Sequence, residues 1–283
     1  MYPHRINLRE PWQKPSPLTP LPEYWERGTT YARAFNWPTK LMPFEELWLV
    51  VGTIFSPFRV TLNRQLLGEQ PQARVPLELT VTPFLQSQNL LQIECLEPPS
   101  YEGVRNVYLE VRRSVHLHQL TGSIHWENDR PRLQLHATLH GQPDRPLSIV
   151  VRLNQQEVHY QELGKPSKVI DVLTPPLDVK PWQIGQTNEP YDLEVQLLDP
   201  ACSLSQHHYL IGFAPPSDDM PFDTIPDHES YLESPWLEQA DRTGKLVAIK
   251  DYDQVLPYVW HHPSVRRPSV LIAASPHVDL RCS

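Results

Sequence analysis

The sequence predicts an all-β protein: two successive antiparallel sandwiches followed by an irregular C-terminal tail. Three observations carry this expectation. Short apolar runs alternate with polar residues at a period of two, as half-buried strands require. No convincing ten-residue amphipathic helix interrupts them. Proline is abundant, with 32 Pro against 10 Gly in 283 residues, which suits connections and strand ends and does not suit long helices or central strands.

The first set of strands runs from Tyr31 to Cys95. "LWLVVGTIF" follows Pro43 and "RVTLN" follows Pro57. "VPLELTVTPFL" alternates Val75, Leu77, Leu79 and Val81, and "NLLQIECLE" alternates Leu91, Ile93 and Cys95. A one-residue slip would turn each apolar face outward, so the register is expected to be well specified. Val60, Leu62, Leu79, Leu91 and Ile93 are the expected core. Within this set "VTLNRQLLGE" reads as a hairpin, but Asn63-Arg64 stands where Asn-Gly is usual. Arginine there requires a different turn or a left-handed residue.

The second set opens at "NVYLEV", with Val107, Leu109 and Val111 on one face. It continues through "SVHLHQL", "SIHW", "RLQLHATLH", "LSIVVRLN", "KVIDVL" and "YDLEVQLLD". About seven short strands at this spacing match the rhythm of an immunoglobulin-like sandwich, without the Cys-Trp-Cys spacing of antibody domains. Val107, Leu109, Leu133, Leu135, Ile149 and Val151 are its expected core. The domain division is then 1–30 as an N-terminal extension, 31–102, 103–213, and a Pro-rich extension over 214–283.

That last extension begins acidic and proline-rich, "APPSDDMPFDTIPDHESYLES", as an extended linker does. "WLEQADRTGKLVAIKDYDQVLPYVW" allows one short strand and a short helix, and Val270 to Ala274 is a further strand candidate. Its apolar residues are too many for a solvated linker and too interrupted by proline for a separate core. The tail is therefore expected to dock, on the two sandwiches or on a partner.

Composition excludes several functions. Net charge is −8 with no dense Lys/Arg run, which argues against nucleic-acid binding. Cys95, Cys202 and Cys282 are odd in number and far apart, so neither a disulfide framework nor a zinc site is expected. No apolar leader stands at the N-terminus and no run is long enough to span a bilayer, so the expectation is a cytoplasmic protein with no membrane span. No cofactor motif is present.

Four motifs resemble the front of glycoside hydrolase family 2, the β-galactosidase and β-glucuronidase family. "YARAFNWP" and a strand ending at Gly52 precede "VTLNRQLLGE", in which Val60, Leu62, Asn63 and Gly68 fit the family's hairpin and Arg64 replaces its glycine. "LELTVTPFLQSQNLLQIEC" places Thr82, Leu85, Asn89 and Leu91 in a second motif. "EGVRNVYLEV" is similar to the passage that opens the family's immunoglobulin-like domain, and "LDVKPWQIGQTNEPYDLEVQLLD" to its closing hairpin. The resemblance covers Tyr31 to Phe213. It implies a galactose-binding-like jelly roll followed by an immunoglobulin-like sandwich. In that family the catalytic carboxylates lie in a following barrel, which needs at least ~200 residues; 70 residues follow Phe213. The implied protein is a non-catalytic carbohydrate- or protein-binding module or a structural subunit, with a second copy of the chain as one partner through the tail. The alternative is a glycoside hydrolase whose catalytic part another chain supplies.

Asn188-Glu189 matches the dipeptide of a family acid/base, but a retaining glycosidase needs a second carboxyl group ~5 Å away, and a solvated turn is the expectation for Glu189. "HHPSV", His261 to Val265, echoes a family strand, against the plainer reading of a proline-flanked loop. His116 and His118, with His136 and His140, are expected on outward faces; neighbouring strands could gather them into a metal site, but a solvated polar face is preferred. Trp48 and Trp182 are expected to pack in the sandwiches, and Trp25, Trp236 and Trp260 to lie at surfaces or interfaces. No catalytic residue is assigned, and no binding residue is singled out.

Overall fold

Strand periodicity and turn chemistry dictate the architecture. The computed structural model describes residues 5–8, 30–37, 40–54, 56–72, 75–97, 105–164, 168–215, 223–224, 235–248, 259–263 and 265–266. The first eight strands are β1 (Arg5–Asn7), β2 (Thr30–Asn36), β3 (Glu45–Thr53), β4 (Phe58–Leu62), β5 (Gln65–Gln70), β6 (Leu77–Thr80), β7 (Gln88–Cys95) and β8 (Arg105–Arg113). They form two antiparallel sheets, ordered β1-β8-β3-β6 and β2-β7-β4-β5. Between them Leu47, Leu49 and Val51 meet Phe58, Val60, Leu62, Leu91, Ile93 and Cys95 in one buried cluster. Each large apolar side chain there contributes about 1.5–3 kcal/mol by leaving water. Burial also pushes the Cys95 thiol up to about 11, so it is inert at neutral pH.

The sequence pattern places Val107 and Leu109 in the second sandwich, but β8 pairs with β3 along its length, Leu49 opposite Leu109. Val107, Leu109 and Val111 therefore lie in the first core. Alternation shows that a strand has a buried face; it does not show which sheet recruits it. The passage to the second sandwich falls at Ser114 and Val115, where β8 ends and the next strand begins.

The β4–β5 hairpin turns on Asn63 and Arg64, both left-handed at φ 54° and 69°. Two positive φ values make a two-residue turn whose twist matches the strands, built here without glycine. Asn63 explains this. Its backbone N–H donates to Leu90 O at 2.9 Å, and its Oδ1 accepts from Leu90 N at 2.9 Å. The side chain thus continues the ladder onto β7, while Nδ2 donates to Phe84 O at 2.9 Å. Asn63→Ala should cost about 1–3 kcal/mol by orphaning these partners. Arg64→Gly should be neutral or stabilising by up to about 1 kcal/mol, since it removes only left-handed strain. Denaturant midpoints of the two variants check the contrast; equal losses would show that the asparagine contributes nothing special.

The second sandwich comprises β9 (His116–Glu127), β10 (Arg130–His140), β11 (Leu147–Leu153), β12 (Gln156–Leu163), β13 (Val169–Leu173), β14 (Tyr191–Leu198) and β15 (Ser203–Ile211). Its sheets are ordered β13-β10-β9 and β12-β11-β14-β15. Asn154 repeats the device of Asn63: with φ 48°, its Oδ1 accepts from Asp192 N at 2.8 Å. Leu133, Leu135, Ile149 and Val151 are buried as expected. β9 carries a bulge at which the register against β10 shifts between His136 and Thr138, and Gln119 there has φ 52°. The extra residue changes the phase of alternation, so Leu117 and Leu120 both reach the core although three positions apart.

Beyond Ala214 the tail contributes β16 (Asp223–Thr224), α1 (Pro235–Thr243), β17 (Val247–Ala248) and β18 (Val265–Arg266). The three strands pair in parallel in the order β16-β17-β18. Leu237, Ala240, Val247, Val259 and Val265 close a small cluster with Val75 of the first sandwich. Val270 to Ala274 and Trp25 lie outside the described residues.

Candidate functional site

A dense group of titratable side chains lies where the two sandwiches meet. On β3 the even positions Glu46, Trp48 and Val50 face away from the first core, opposite Leu47 and Leu49. Trp48 pairs with Glu110 and Thr80, and Val50 with Glu78, so β6 and β8 add Glu78, Glu110 and Arg112 to the same face. The end of the second sandwich covers it. His116 and His140 are register partners, as are His118 and Thr138. Their rings close on Trp48 at centroid distances of 5.2 Å for His116, 5.3 Å for His118 and 5.1 Å for His140. Arg112 lies over the Trp48 ring at 4.8 Å, a cation–π contact strengthened by exclusion of water.

Arg112 organises the charges. Its Nη2 is 2.7 Å from Glu110 Oε2 and its Nη1 2.7 Å from Glu78 Oε2. Both Glu110 and Arg112 are buried, at 4% and 6% exposure; such a pair needs close geometry to offset its desolvation. His140 Nε2 lies 3.0 Å from Glu46 Oε2. His116 is wholly buried, with Nδ1 2.8 Å from Arg113 O. Burial, with Arg112 nearby, holds its pKa down to about 3. Burial lowers His118 as well, against the pull of Glu78. His207 on β15 is held down to about 4 by burial and then by Arg112.

The expected solvated histidine face is thus corrected. His116, His118 and His140 come together around Trp48, where a second sandwich meets the outer face of β3; His116 is sealed there, and His118 and His140 keep side-chain exposures of 23% and 31%. His136 is elsewhere, with Nδ1 2.5 Å from Asp171 Oδ1 in an exposed pair. Among the described residues no group of three or more His, Cys, Asp or Glu has the geometry to hold a metal ion. Sequence reasoning missed Arg112, Glu110, Glu78 and Glu46. Their signal was opposite charges at alternate positions of strands already assigned as buried.

The tail meets the second sandwich through Trp260, which is 8% exposed and part of its core. Trp260 stacks edge-on to Tyr209 at 4.9 Å. Two glycines admit this approach. A Cβ on Gly122 would come within 2.4 Å of the Trp260 ring, and one on Gly212 within 2.6 Å of Pro263. Trp182 Nε1 donates to Asp241 O at 2.7 Å, and Asn188 N to Arg242 O at 2.9 Å. Asp241 Oδ2 lies 2.6 Å from His262 Nδ1, joining α1 to the "HHPSV" segment in a buried pair. That segment is a docked anchor rather than an exposed loop. Trp236 is partly buried against the tail cluster, and Trp182 packs as expected. Asn188 spends its side chain on its own loop, accepting from Gln183 N at 2.8 Å, and Glu189 is exposed. The Asn63-Arg64 hairpin is a structural turn by its contacts.

No protein-family model matches the sequence, and no curated protein matches it. Solved structures do share its fold. An FMN-binding β-glucuronidase from Faecalibacterium prausnitzii superposes with TM-score 0.69 at 13% identity, covering 93% of this chain and 57% of that one. A glycosyl hydrolase family 2 member from Bacteroides cellulosilyticus gives 0.64 at 14% identity, with 84% and 42% covered. A β-glucuronidase from Bacteroides uniformis gives 0.66 at 14%, with 84% and 40% covered. The architecture is that of the sandwich region of family 2 glycosidases. The chain spans about half the length of these structures. Among the described residues no helix is long and apolar enough to cross a membrane.

Proposed function

We propose that the chain acts as a non-catalytic module, binding a carbohydrate or protein partner or serving as a structural subunit of an assembly. The observation that supports this most directly is the fold itself, two β-sandwiches whose described strands place their large apolar residues in two closed cores. The placement of Asn188 and Glu189 in a loop tied to α1 also favours a structural role for that dipeptide.

The second reading is a glycoside hydrolase completed by another chain. The parallel β16-β17-β18 sheet with α1 between its first two strands favours it, since strand–helix–strand units belong to barrel architecture rather than to sandwiches. The expected result for the purified full chain is retention on a polysaccharide or partner column without turnover of nitrophenyl glycosides. That expectation rests on chemistry: a single turn carboxylate could not supply the ~10⁶-fold acceleration typical of enzymes. Turnover that disappears in Glu189→Gln would overturn the non-catalytic reading.

A further inference from the structure

The histidines at the sandwich junction belong to neither core. His116 is fully enclosed, and His140 and His118 close on the same tryptophan. We propose that this seam is an acid-opened joint: protonation of His116 and His118 beside the fixed cation Arg112 releases the second sandwich from the first while each keeps its own fold.

Arg112 and the neighbouring imidazoles oppose a proton on His116 and His118, whereas Glu78 favours one on His118. From β3 comes Glu46, already engaged by His140 at 3.0 Å. From β6 comes Glu78, 2.7 Å from Arg112 but 3.9 Å from His118 Nδ1. From β8 comes Glu110, held by Arg112 at 2.7 Å and approached by Arg5 of β1 at 3.7 Å. β15 adds His207 and Tyr209, with the tail's His261 ring 4.9 Å from Tyr209. The carboxylates therefore already have partners, and a proton arriving on His116 meets Arg112 and the other imidazoles. His116 Nδ1 faces the Arg113 carbonyl at 2.8 Å, the last residue of β8, so the histidine is fixed against the connection between the sandwiches. That connection is short: β8 ends at Arg113 and β9 begins at His116.

The direction follows from linkage. A histidine whose pKa is lower closed than open stabilises the closed seam above its open-state value, and that stability is lost as pH falls. With an ordinary value of 6.5 when open, and about 3 for His116 when closed, the window runs from pH 6.5 downward to about 3. Between pH 7 and pH 5 this histidine multiplies the open-to-closed ratio by about 20-fold.

The test uses the full chain with Cys282→Ser and Leu66→Cys. A fluorophore pair is carried by the thiol introduced at position 66 and by Cys202, which is exposed, while buried Cys95 stays unlabelled. Energy transfer between the labels reports the open fraction from pH 7.5 to 4.5, and far-UV circular dichroism reports the strands. The expected result is a fall in transfer below pH 6.5 with the strand signal unchanged. His116→Gln should reduce the pH 7-to-5 response by about 20-fold. Glu78→Gln, which removes the anion nearest His118, should open the seam at higher pH, and it reports even where His116→Gln does not fold. A transfer signal flat with pH overturns the proposal. So does an acid response that neither substitution moves, or loss of strand signal in step with transfer.

Discussion

Gly122→Leu should expel Trp260 from the second sandwich and free the tail. The indole occupies the place of a missing side chain: a Cβ on Gly122 would lie 2.4 Å from its Cζ3 and 2.6 Å from its Cε3. A ring at that distance cannot adjust by a few tenths of an ångström, and Leu135 Cδ2, 3.1 Å from the same Cβ, crowds the new side chain further. The loss should approach that of Trp260→Ala, about 3–5 kcal/mol for a buried aromatic. A double-mutant cycle separates a clash from simple damage to the sheet. If the leucine acts through Trp260, its cost should largely vanish in the Trp260→Ala background. Thermal unfolding and protease cleavage between α1 and β18 supply the readouts. Retention of tail protection in Gly122→Leu would mean that the tail is held elsewhere, with Trp260 an incidental contact.

The second large effect is expected at Arg112. Replacing it by methionine keeps much of the volume over Trp48 but leaves Glu110, 4% exposed, and Glu78 facing the histidines without their cation. Removing one member of a buried ion pair costs about 3–5 kcal/mol, because the partner stays desolvated and unpaired. Adding Glu110→Gln should recover part of that loss, since the remaining group is then neutral. Denaturant midpoints of Arg112→Met and the double variant decide it. Equal stability of wild type and Arg112→Met would show that the seam charges are solvated in solution.

Much of the fold is legible because the strands are amphipathic and one-sided. Val60, Leu62, Leu91 and Ile93, and Leu133, Leu135, Ile149 and Val151, fall in the two cores as alternation requires. The errors have distinct physical causes. Alternation assigns Val107 and Leu109 to the wrong sandwich because sheet membership depends on a long-range partner, here β3, that local pattern does not encode. It places the histidines in solvent because the outer face of a strand is polar whether water or another domain covers it. The bulge at Gln119, a single residue at positive φ, leaves no mark in composition. The hairpin at Asn63-Arg64 is readable as a turn, yet its reason is not, because the asparagine's partner, Leu90, is distant in sequence. The docking of the tail is legible from its aromatic content, but Gly122 and Gly212, the places that receive it, carry no signal.

The order of strands in the first sandwich also constrains how the chain can be made. β8 lies between β1 and β3 in its sheet, although it is the last of the eight strands to leave the ribosome. Until residues 105–113 emerge, β1 has no neighbour, and Leu47, Leu49 and Val51 lack Val107, Leu109 and Val111 beside them. The nascent domain must therefore wait with an unpaired sheet edge, and its closure joins residues about a hundred positions apart, the kind of non-local pairing that folds slowly. Synthesis that pauses before β8 should favour aggregation, whereas a pause after it should let the first sandwich close before the second begins.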